Sequence, residues 1–247
     1  MLDIHCHILP GVDDGSSSEE ESLAMLSAAK ACGIDKMICT PHYMDESFDP
    51  EAIDEAFKWF EAEARKAGVT ACLGYEIYWN KVGMLGVDAV ANHMLDGSDY
   101  ALIEFSSGAN IGQFEERMLW KIKGRGITPI IAHPERYICL QENYDLIYDL
   151  RNAGCLMQMS ANVANSSMFS ARRKTAKYML KNGLYDFMAS DAHTPKDYED
   201  FKKALKMASG VVASQIDFVP EPRPERPGTV GDVLAEPTPA EADHKPG

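Results

Sequence analysis

Short apolar segments alternate with longer segments of helical periodicity through most of the chain. Seven of the short segments are rich in β-branched and other apolar residues, which is the composition of buried strands. The segments between them carry apolar residues at the spacing of an α-helix. The predicted strands are Leu2–Ile8, Lys36–His42, Thr70–Tyr78, Tyr100–Phe105, Thr128–His133, Leu156–Ser160 and Phe187–Ser190.

Two of the helices also have clear start signals. Ser18 begins a capping box with Glu21, and apolar positions then recur at helical spacing up to Gly33. Asp49 is a suitable N-cap, and Pro50 occupies the first helical position after it. Helical spacing predicts further helices at 113–123, 142–153, 170–182 and 197–209.

The alternation of strands and helices predicts an α/β fold with a parallel sheet and helices outside it. Seven strands in a chain of this length favour one TIM-like β/α barrel over two small domains. An open doubly wound sheet is the competing topology, and it would place the site at a switch point formed by two or three strands. The barrel domain is predicted to span residues 1–219.

The C-terminal segment 220–247 differs in composition from the rest of the chain. It contains seven of the thirteen prolines, few large apolar residues and an excess of acidic residues. Such a segment cannot bury enough apolar surface to fold, so it is predicted to be a disordered acidic tail.

Charge and composition exclude several classes of protein. The net charge of −14 argues against general nucleic-acid binding, which requires clustered lysine and arginine. No apolar run is long enough to span a bilayer, and the N-terminus lacks the regions of a signal peptide. Six cysteines without a CxxC pair are typical of a reducing compartment. A cytoplasmic protein without membrane insertion is therefore expected.

Side chains that commonly bind metals lie at the ends of six predicted strands. Because the carboxyl ends of the strands of a parallel barrel share one face, these side chains would converge. Burying so many ionisable groups without a cation would be costly. The predicted metal ligands are His5, His7, His42, Glu76, Glu104, His133, Asp191 and His193.

Eight ligands are too many for one tetrahedral ion, so two or three divalent ions bridged by carboxylates are expected. Imidazole and carboxylate ligands without thiolate favour Mn, Fe or Zn. Such ions lower the pKa of a bound water to about 7, which provides a hydroxide nucleophile at neutral pH.

Three further residues lie near these ligands in the sequence. Arg136 follows His133 by three residues, and its guanidinium would suit two phosphate oxygens on the same rim. The acidic pair Asp13 and Asp14 follows the first strand. It could supply a general acid, orient a ligand, or only form a turn before the first helix.

Six motifs occur in order between Met1 and about Ala208: DIHCHILPGVDDG, TPHY, GYEIY, LIEF, PIIAHPER and ASDAH. In these motifs the chain resembles the polymerase-and-histidinol-phosphatase (PHP) family of metal-dependent phosphoesterases. Within that family it is most similar to the bacterial tyrosine-protein phosphatases of capsular and exopolysaccharide gene clusters.

The resemblance implies a distorted seven-stranded β/α barrel with a trinuclear centre, often active with manganese. It also implies hydrolysis of phosphotyrosine on a tyrosine autokinase that controls polysaccharide export. Arg136 would bind the phosphoryl group. One ion would be held by His5, His7, Glu76 and Asp191, and the others by His42, Glu104, His133 and His193 with Glu76 as a bridge.

The chain departs from the pattern of this subgroup at three places. Tyr43 stands where a second histidine often follows TPH, and Tyr78 stands where a basic residue is common. The motif LIEF continues with SSGAN rather than with proline. No predicted ligand is lost, but Tyr43 and Tyr78 would line the rim of the pocket and affect substrate preference.

Four other functions compete with this one. A thiol phosphatase is excluded, because no cysteine is followed by arginine in the required Cys-x5-Arg spacing. A phosphatase of small molecules such as histidinol phosphate fits the same motifs. An amidohydrolase-type barrel also begins with HxH on its first strand. A non-enzymatic scaffold that binds its partner through the acidic tail is the remaining alternative.

Overall fold

The computed structural model describes residues 1–43 and 48–208, so the predicted tail and the domain boundary at residue 219 lie outside the described residues. The strands are β1 (Leu2–Cys6), β2 (Lys36–Cys39), β3 (His42–Tyr43), β4 (Thr70–Leu73), β5 (Glu76–Tyr78), β6 (Tyr100–Glu104), β7 (Thr128–Ala132), β8 (Leu156–Ser160) and β9 (Phe187–Ala189). The helices are α1 (Glu19–Ala31), α2 (Pro50–Lys66), α3 (Trp79–Leu85), α4 (Val87–Ala91), α5 (Gln113–Gly124), α6 (Ile138–Glu142), α7 (Asp145–Asn152), α8 (Ala171–Lys181) and α9 (Asp197–Ala208).

The strands pair in parallel in two sheets, which confirms the predicted α/β class. The first sheet has the order β1-β2-β4, and the second has the order β3-β5-β6-β7-β8-β9. An isolated parallel bridge pairs Cys6 with Ala192, just after β9. The backbone N–H of His7 also donates to the carbonyl of Ala192 at 2.9 Å. The last strand of the second sheet therefore lies beside the first strand of the first sheet.

Two of the seven predicted strands are each divided into two. The second predicted strand breaks at Pro41, which has no N–H to donate to a neighbouring strand. The third breaks at Gly74, where a Cβ atom would come within 2.8 Å of Leu95. The two breaks lie beside each other and carry the following residues, His42 and Glu76, into the second sheet as register partners.

Helix ends follow local chemistry. Ser18 accepts a hydrogen bond from the backbone N–H of Glu21 at 3.3 Å, as the predicted capping box requires. The carboxylate of Glu21 accepts instead from the backbone and hydroxyl of Ser17, so the reciprocal bond is shifted by one residue. Asp49 caps α2 as predicted and accepts from Glu51 N at 3.0 Å. The short helices α3, α4 and α6 were not predicted, because five to seven residues are too few to establish a period.

A small apolar cluster lies between the two sheets. Its members include Ile4 and Ile38 from the first sheet and Leu102, Ile130 and Phe187 from the second. A larger cluster packs the helices against the outer side of the strands. Apolar side chains from strands of both sheets therefore pack against one another in this small cluster.

Strand β1 contributes to both clusters. Ile4 belongs to the small cluster, whereas Cys6 belongs to the large one. Strict alternation would place these two side chains on the same face. The register of β1 against β2 shifts between Asp3 and Cys6, which accounts for the difference. No helix within 1–43 or 48–208 has the length and apolarity needed to cross a membrane.

Candidate metal centre

The carboxylate of Glu76, at the start of β5, lies at the centre of a histidine cluster. Its Oε2 is 3.2 Å from His5 Nε2, 3.3 Å from His7 Nε2 and 3.2 Å from His42 Nδ1. Its Oε1 is 2.9 Å from His133 Nε2. Four imidazoles, which come from the ends of three strands, therefore face one buried carboxylate.

Asp191 places a second buried carboxylate on the same cluster. Its Oδ1 is 3.5 Å from His5 Nε2 and has no hydrogen-bond partner among the described residues. Its Oδ2 accepts hydrogen bonds from Ser160 Oγ at 3.0 Å, from Asn162 Nδ2 at 3.3 Å and from the guanidinium of Arg136. One oxygen is thus held by its neighbours while the other is left facing the imidazoles.

Potential ligand atoms fall into three overlapping groups, and within each group the atoms lie within 4.8 Å of one another. Glu76, His7 and His42 each belong to two groups, so the three positions are contiguous. The groups are His5, His7 and Glu76; His42, Glu76 and Glu104; and His7, Asp14, His42 and His193.

Buried atoms without hydrogen-bond partners test whether these residues fit a cation. They include His42 Nδ1, His133 Nδ1 and Asp191 Oδ1 within the described ranges. A buried polar atom left unpaired costs about 1–3 kcal/mol, and the imidazole and carboxylate atoms at this site are ligands for divalent cations. The residues therefore fit a metal centre.

Electrostatic shifts show how strongly the charges interact. Burial alone would lower the pKa of His5, but the carboxylates of Glu76 and Asp191 raise it to about 10. Burial and the charge of Glu76 raise the pKa of Glu104 to about 7. Burial and the positive charge of Arg136 lower the pKa of His133 to about 4. These opposite shifts are expected where several carboxylates and imidazoles lie close together in a buried site.

Two of the predicted ligands have strained backbones. His133 has a φ of 33° directly after β7, and Asp191 has a φ of 52° shortly after β9. Such left-handed conformations are costly for residues with a side chain and persist where the surrounding structure enforces them. Both turns direct a side chain from the end of a strand into the cluster.

Residues 1–214 match the sequence profile of a family described as capsular polysaccharide synthesis, CpsB/CapC. The chain belongs to the CpsB/CapC family. This result confirms the resemblance drawn from the six motifs. The tyrosine-protein phosphatase CpsB of Streptococcus pneumoniae is 34% identical over 202 residues, which cover 78% of this chain and 83% of that relative.

Solved structures show the same relationship. A chain from crystal structures of YwqE from Bacillus subtilis and CpsB from Streptococcus pneumoniae, described as unique metal-dependent tyrosine phosphatases, matches with a TM-score of 0.73 and 29% identity. The match covers 83% of this chain and 85% of that one. Histidinol phosphate phosphatase from Lactococcus lactis shares the fold at a TM-score of 0.53 and 14% identity, over 85% of this chain and 95% of that one.

In this CpsB/CapC family member the acidic pair after β1 has two distinct placements. Asp13 is nearly buried, and its carboxylate accepts hydrogen bonds from His7 Nδ1 at 2.8 Å and from the backbone of Gly15 at 2.9 Å. Asp14 is largely exposed and lies 3.3 Å from His42 Nε2 and 3.5 Å from His193 Nε2. These two imidazoles hold the pKa of Asp14 below its ordinary value. Asp13 thus orients a candidate ligand, whereas Asp14 is itself placed as one.

The guanidinium of Arg136 donates a hydrogen bond to Asp191 at the edge of the cluster. The Arg136 side chain is 26% exposed. Tyr43, which was expected at the rim, is buried and stacks on His93 with ring centroids 3.8 Å apart.

Sequence reasoning missed the polar residues of the sixth predicted strand, β8. Gln158 Oε1 accepts from His5 Nδ1 at 3.0 Å, and Ser160 bonds to Asp191. Both are fully buried, and they stand two residues apart in an otherwise apolar strand. That spacing of polar residues on one face of a buried strand was the available signal.

Proposed function

We propose that the protein is a metal-dependent tyrosine-protein phosphatase that acts on phosphotyrosine in a protein of capsular or exopolysaccharide synthesis. The enzyme class predicted from the sequence is confirmed by the family and by the names of its relatives. The observation that carries the proposal is the convergence of four imidazoles on the buried carboxylate of Glu76.

We infer that the centre holds two or three divalent ions, with manganese favoured and iron or zinc as alternatives. The residues that would hold them are the eight predicted ligands together with Asp14, and all of these except His133 and Asp191 belong to the three ligand groups described above. When bound, such ions activate water as a nucleophile and stabilise the oxygens of a displacement at phosphorus.

The protein residues around the ligands select which imidazole nitrogen faces the centre. Asp13 accepts a hydrogen bond from His7 Nδ1–H, and Gln158 Oε1 accepts one from His5 Nδ1–H. When such a ring is neutral, its Nε2 carries the lone pair and would face a bound cation. Ser160 and Asn162 hold the orientation of the Asp191 carboxylate in the same way.

Arg136 provides positive charge in an acidic chain and, on binding substrate, would direct its guanidinium to phosphoryl oxygens. A tyrosine leaving group suits this site, because a phenol has a pKa of about 10 and departs without a strong acid. The substrate that we propose is a phosphotyrosine protein, specifically a tyrosine autokinase that controls polysaccharide export.

Hydrolysis of a phosphotyrosine peptide, compared with hydrolysis of histidinol phosphate, tests this function. Manganese-loaded wild-type protein should prefer the peptide, and His133→Ala should lose most of the activity together with bound metal, measured by elemental analysis. A clear preference for histidinol phosphate would refute the substrate. Unchanged rates in His133→Ala would refute the site.

We also propose that the two sheets form the distorted seven-stranded barrel and that residues 1–219 form one catalytic domain. The bridge between Cys6 and Ala192 supports the barrel. Deletion of 220–247 should then leave peptide hydrolysis unchanged. Loss of peptide hydrolysis in the deletion variant would favour the scaffold alternative. A cytoplasmic location is proposed from six cysteines that are all free.

A further inference from the structure

Arg172 lies at the second position of α8, and its guanidinium is linked to the candidate metal centre through one side chain. It donates a hydrogen bond to Asn162 Oδ1, and Asn162 Nδ2 donates to Asp191 Oδ2 at 3.3 Å. Arg136 donates to the same Oδ2 atom. Two arginines are thus connected to one carboxylate oxygen, one directly and the other through Asn162.

The two arginines are close enough to affect each other's charge. Burial and the positive charge of Arg136 lower the pKa of Arg172, while Glu135 and Asp191 oppose that effect. The carboxylate of Glu135 is already engaged, since it accepts from Ser160 N at 3.0 Å and from a tyrosine hydroxyl at 2.8 Å. Two like charges in a partly buried region repel each other, and an anion between them would relieve that cost.

Both guanidinium groups also have donor capacity left. Nε of Arg136 and Nε of Arg172 are buried without a hydrogen-bond partner in the described part of the chain. The neighbouring Arg173 shares that feature, but its Nη1 donates to the carbonyls of Val163 and Ala164 at 2.7 and 2.6 Å. Arg173 therefore supports the backbone after β8, whereas Arg172 is connected to the site.

We propose that Arg172 is a second anion-binding residue of the site and that it binds the phosphoryl group of the substrate together with Arg136. A phosphoryl group has three terminal oxygens, and one guanidinium fork pairs with two of them. A second guanidinium can engage the remaining oxygen and part of the charge. This inference rests on the phosphatase function proposed above.

Calorimetric titration of inorganic phosphate into the manganese-loaded full chain tests the proposal. Arg172→Ala should weaken phosphate binding about 10- to 100-fold, the effect of losing a charged hydrogen bond. Arg172→Lys keeps the charge but lacks the planar fork, so its affinity for phosphate should lie between that of the wild type and that of Arg172→Ala. Lys174→Ala is the matched control, because it removes an exposed charge from the same helix. It should bind phosphate as the wild type does.

Bound metal and the melting temperature are measured for every variant. Unchanged phosphate affinity in Arg172→Ala would overturn the proposal. A loss of phosphate binding that follows a matching loss of metal would also overturn it, because Arg172 would then only position Asp191. If Arg172→Ala shows no cooperative unfolding transition, Arg172→Gln provides the same comparison, because glutamine is also neutral but keeps a longer side chain.

Peptide hydrolysis measured in parallel separates this inference from the proposed function. Phosphate binding that depends on Arg172, without any peptide hydrolysis by the wild type, would refute the function and support the anion site. Hydrolysis by the wild type, with unchanged phosphate affinity and KM in Arg172→Ala, would refute only the anion site.

Discussion

His7 donates a hydrogen bond from Nδ1 to the carboxylate of Asp13 at 2.8 Å, and both side chains are nearly buried. The same carboxylate oxygen accepts the backbone N–H of His42 at 3.2 Å. Asp13 therefore fixes the orientation of one candidate ligand and the backbone of a second.

Replacing Asp13 with alanine should lower the affinity for manganese about 10- to 100-fold, the usual effect of removing a group that orients a metal-bound histidine. Asp13→Asn keeps an oxygen that can accept the hydrogen bond from His7, so its affinity for manganese should fall less. Affinities are compared by calorimetry on the metal-free protein. Equal affinities of Asp13→Ala and the wild type would show that His7 needs no such support.

Glu76→Gln should have a larger effect, because Glu76 contacts four imidazoles through both of its oxygens. An amide retains one oxygen acceptor and no charge, so it cannot bridge two cations. We expect loss of more than one metal ion per chain and a fall in peptide hydrolysis of more than about 100-fold. Glu55→Gln, on the exposed face of α2, is the control. Full metal content in Glu76→Gln would exclude the bridging role.

Metal binding should release protons. The carboxylates around His5 raise its pKa to about 10 in the metal-free protein, so the ring carries a proton at neutral pH. A ligand nitrogen must lose that proton, and manganese affinity should therefore rise by about tenfold per pH unit for each proton released. Calorimetry in two buffers of different ionisation enthalpy measures the release. An affinity that is independent of pH would contradict this expectation.

Cys6 should be dispensable for catalysis although two candidate ligands flank it. Its Sγ donates to the carbonyl of Ile38, and burial together with Cys39 raises its pKa well above the ordinary value. The thiol is thus held as a neutral, packed group. Cys6→Ala should keep kcat within about threefold of the wild-type value. The small cavity left by removing the sulfur should mainly lower the stability of the fold. Loss of peptide hydrolysis with metal content intact would reopen a role for the thiol.

Gly15→Ala should disturb the site through His7. A Cβ at Gly15 would overlap the carbonyl oxygen and Cβ of His7, whose backbone N–H is held by a hydrogen bond to the carbonyl of Ala192. We expect a loss of stability of about 1–3 kcal/mol and weaker metal binding. Gly108→Ala meets open space and is the matched control. The melting temperatures of Gly15→Ala and Gly108→Ala are compared in the metal-free and metal-loaded forms. Equal melting temperatures for the two variants would argue against the overlap.

Much of the fold could be predicted from the sequence, because strands and helices leave a local periodic signal. The helices predicted at 113–123, 170–182 and 197–209 lie within one or two residues of α5, α8 and α9. The break at Gly74 could not be predicted, because it depends on the approach of Leu95 from a distant segment.

The sequence by itself determined which side chains are available at the strand ends, since HxH, Glu76 and Asp191 each follow a recognisable apolar segment. The tertiary structure alone decided their positions and contacts. Asp13 and Asp14 are neighbours in the chain, yet one bonds to His7 and the other faces His42 and His193. Hydrogen bonds and charge interactions act over a few ångströms through space, so contacts between residues far apart in sequence appear only when the strands are assembled.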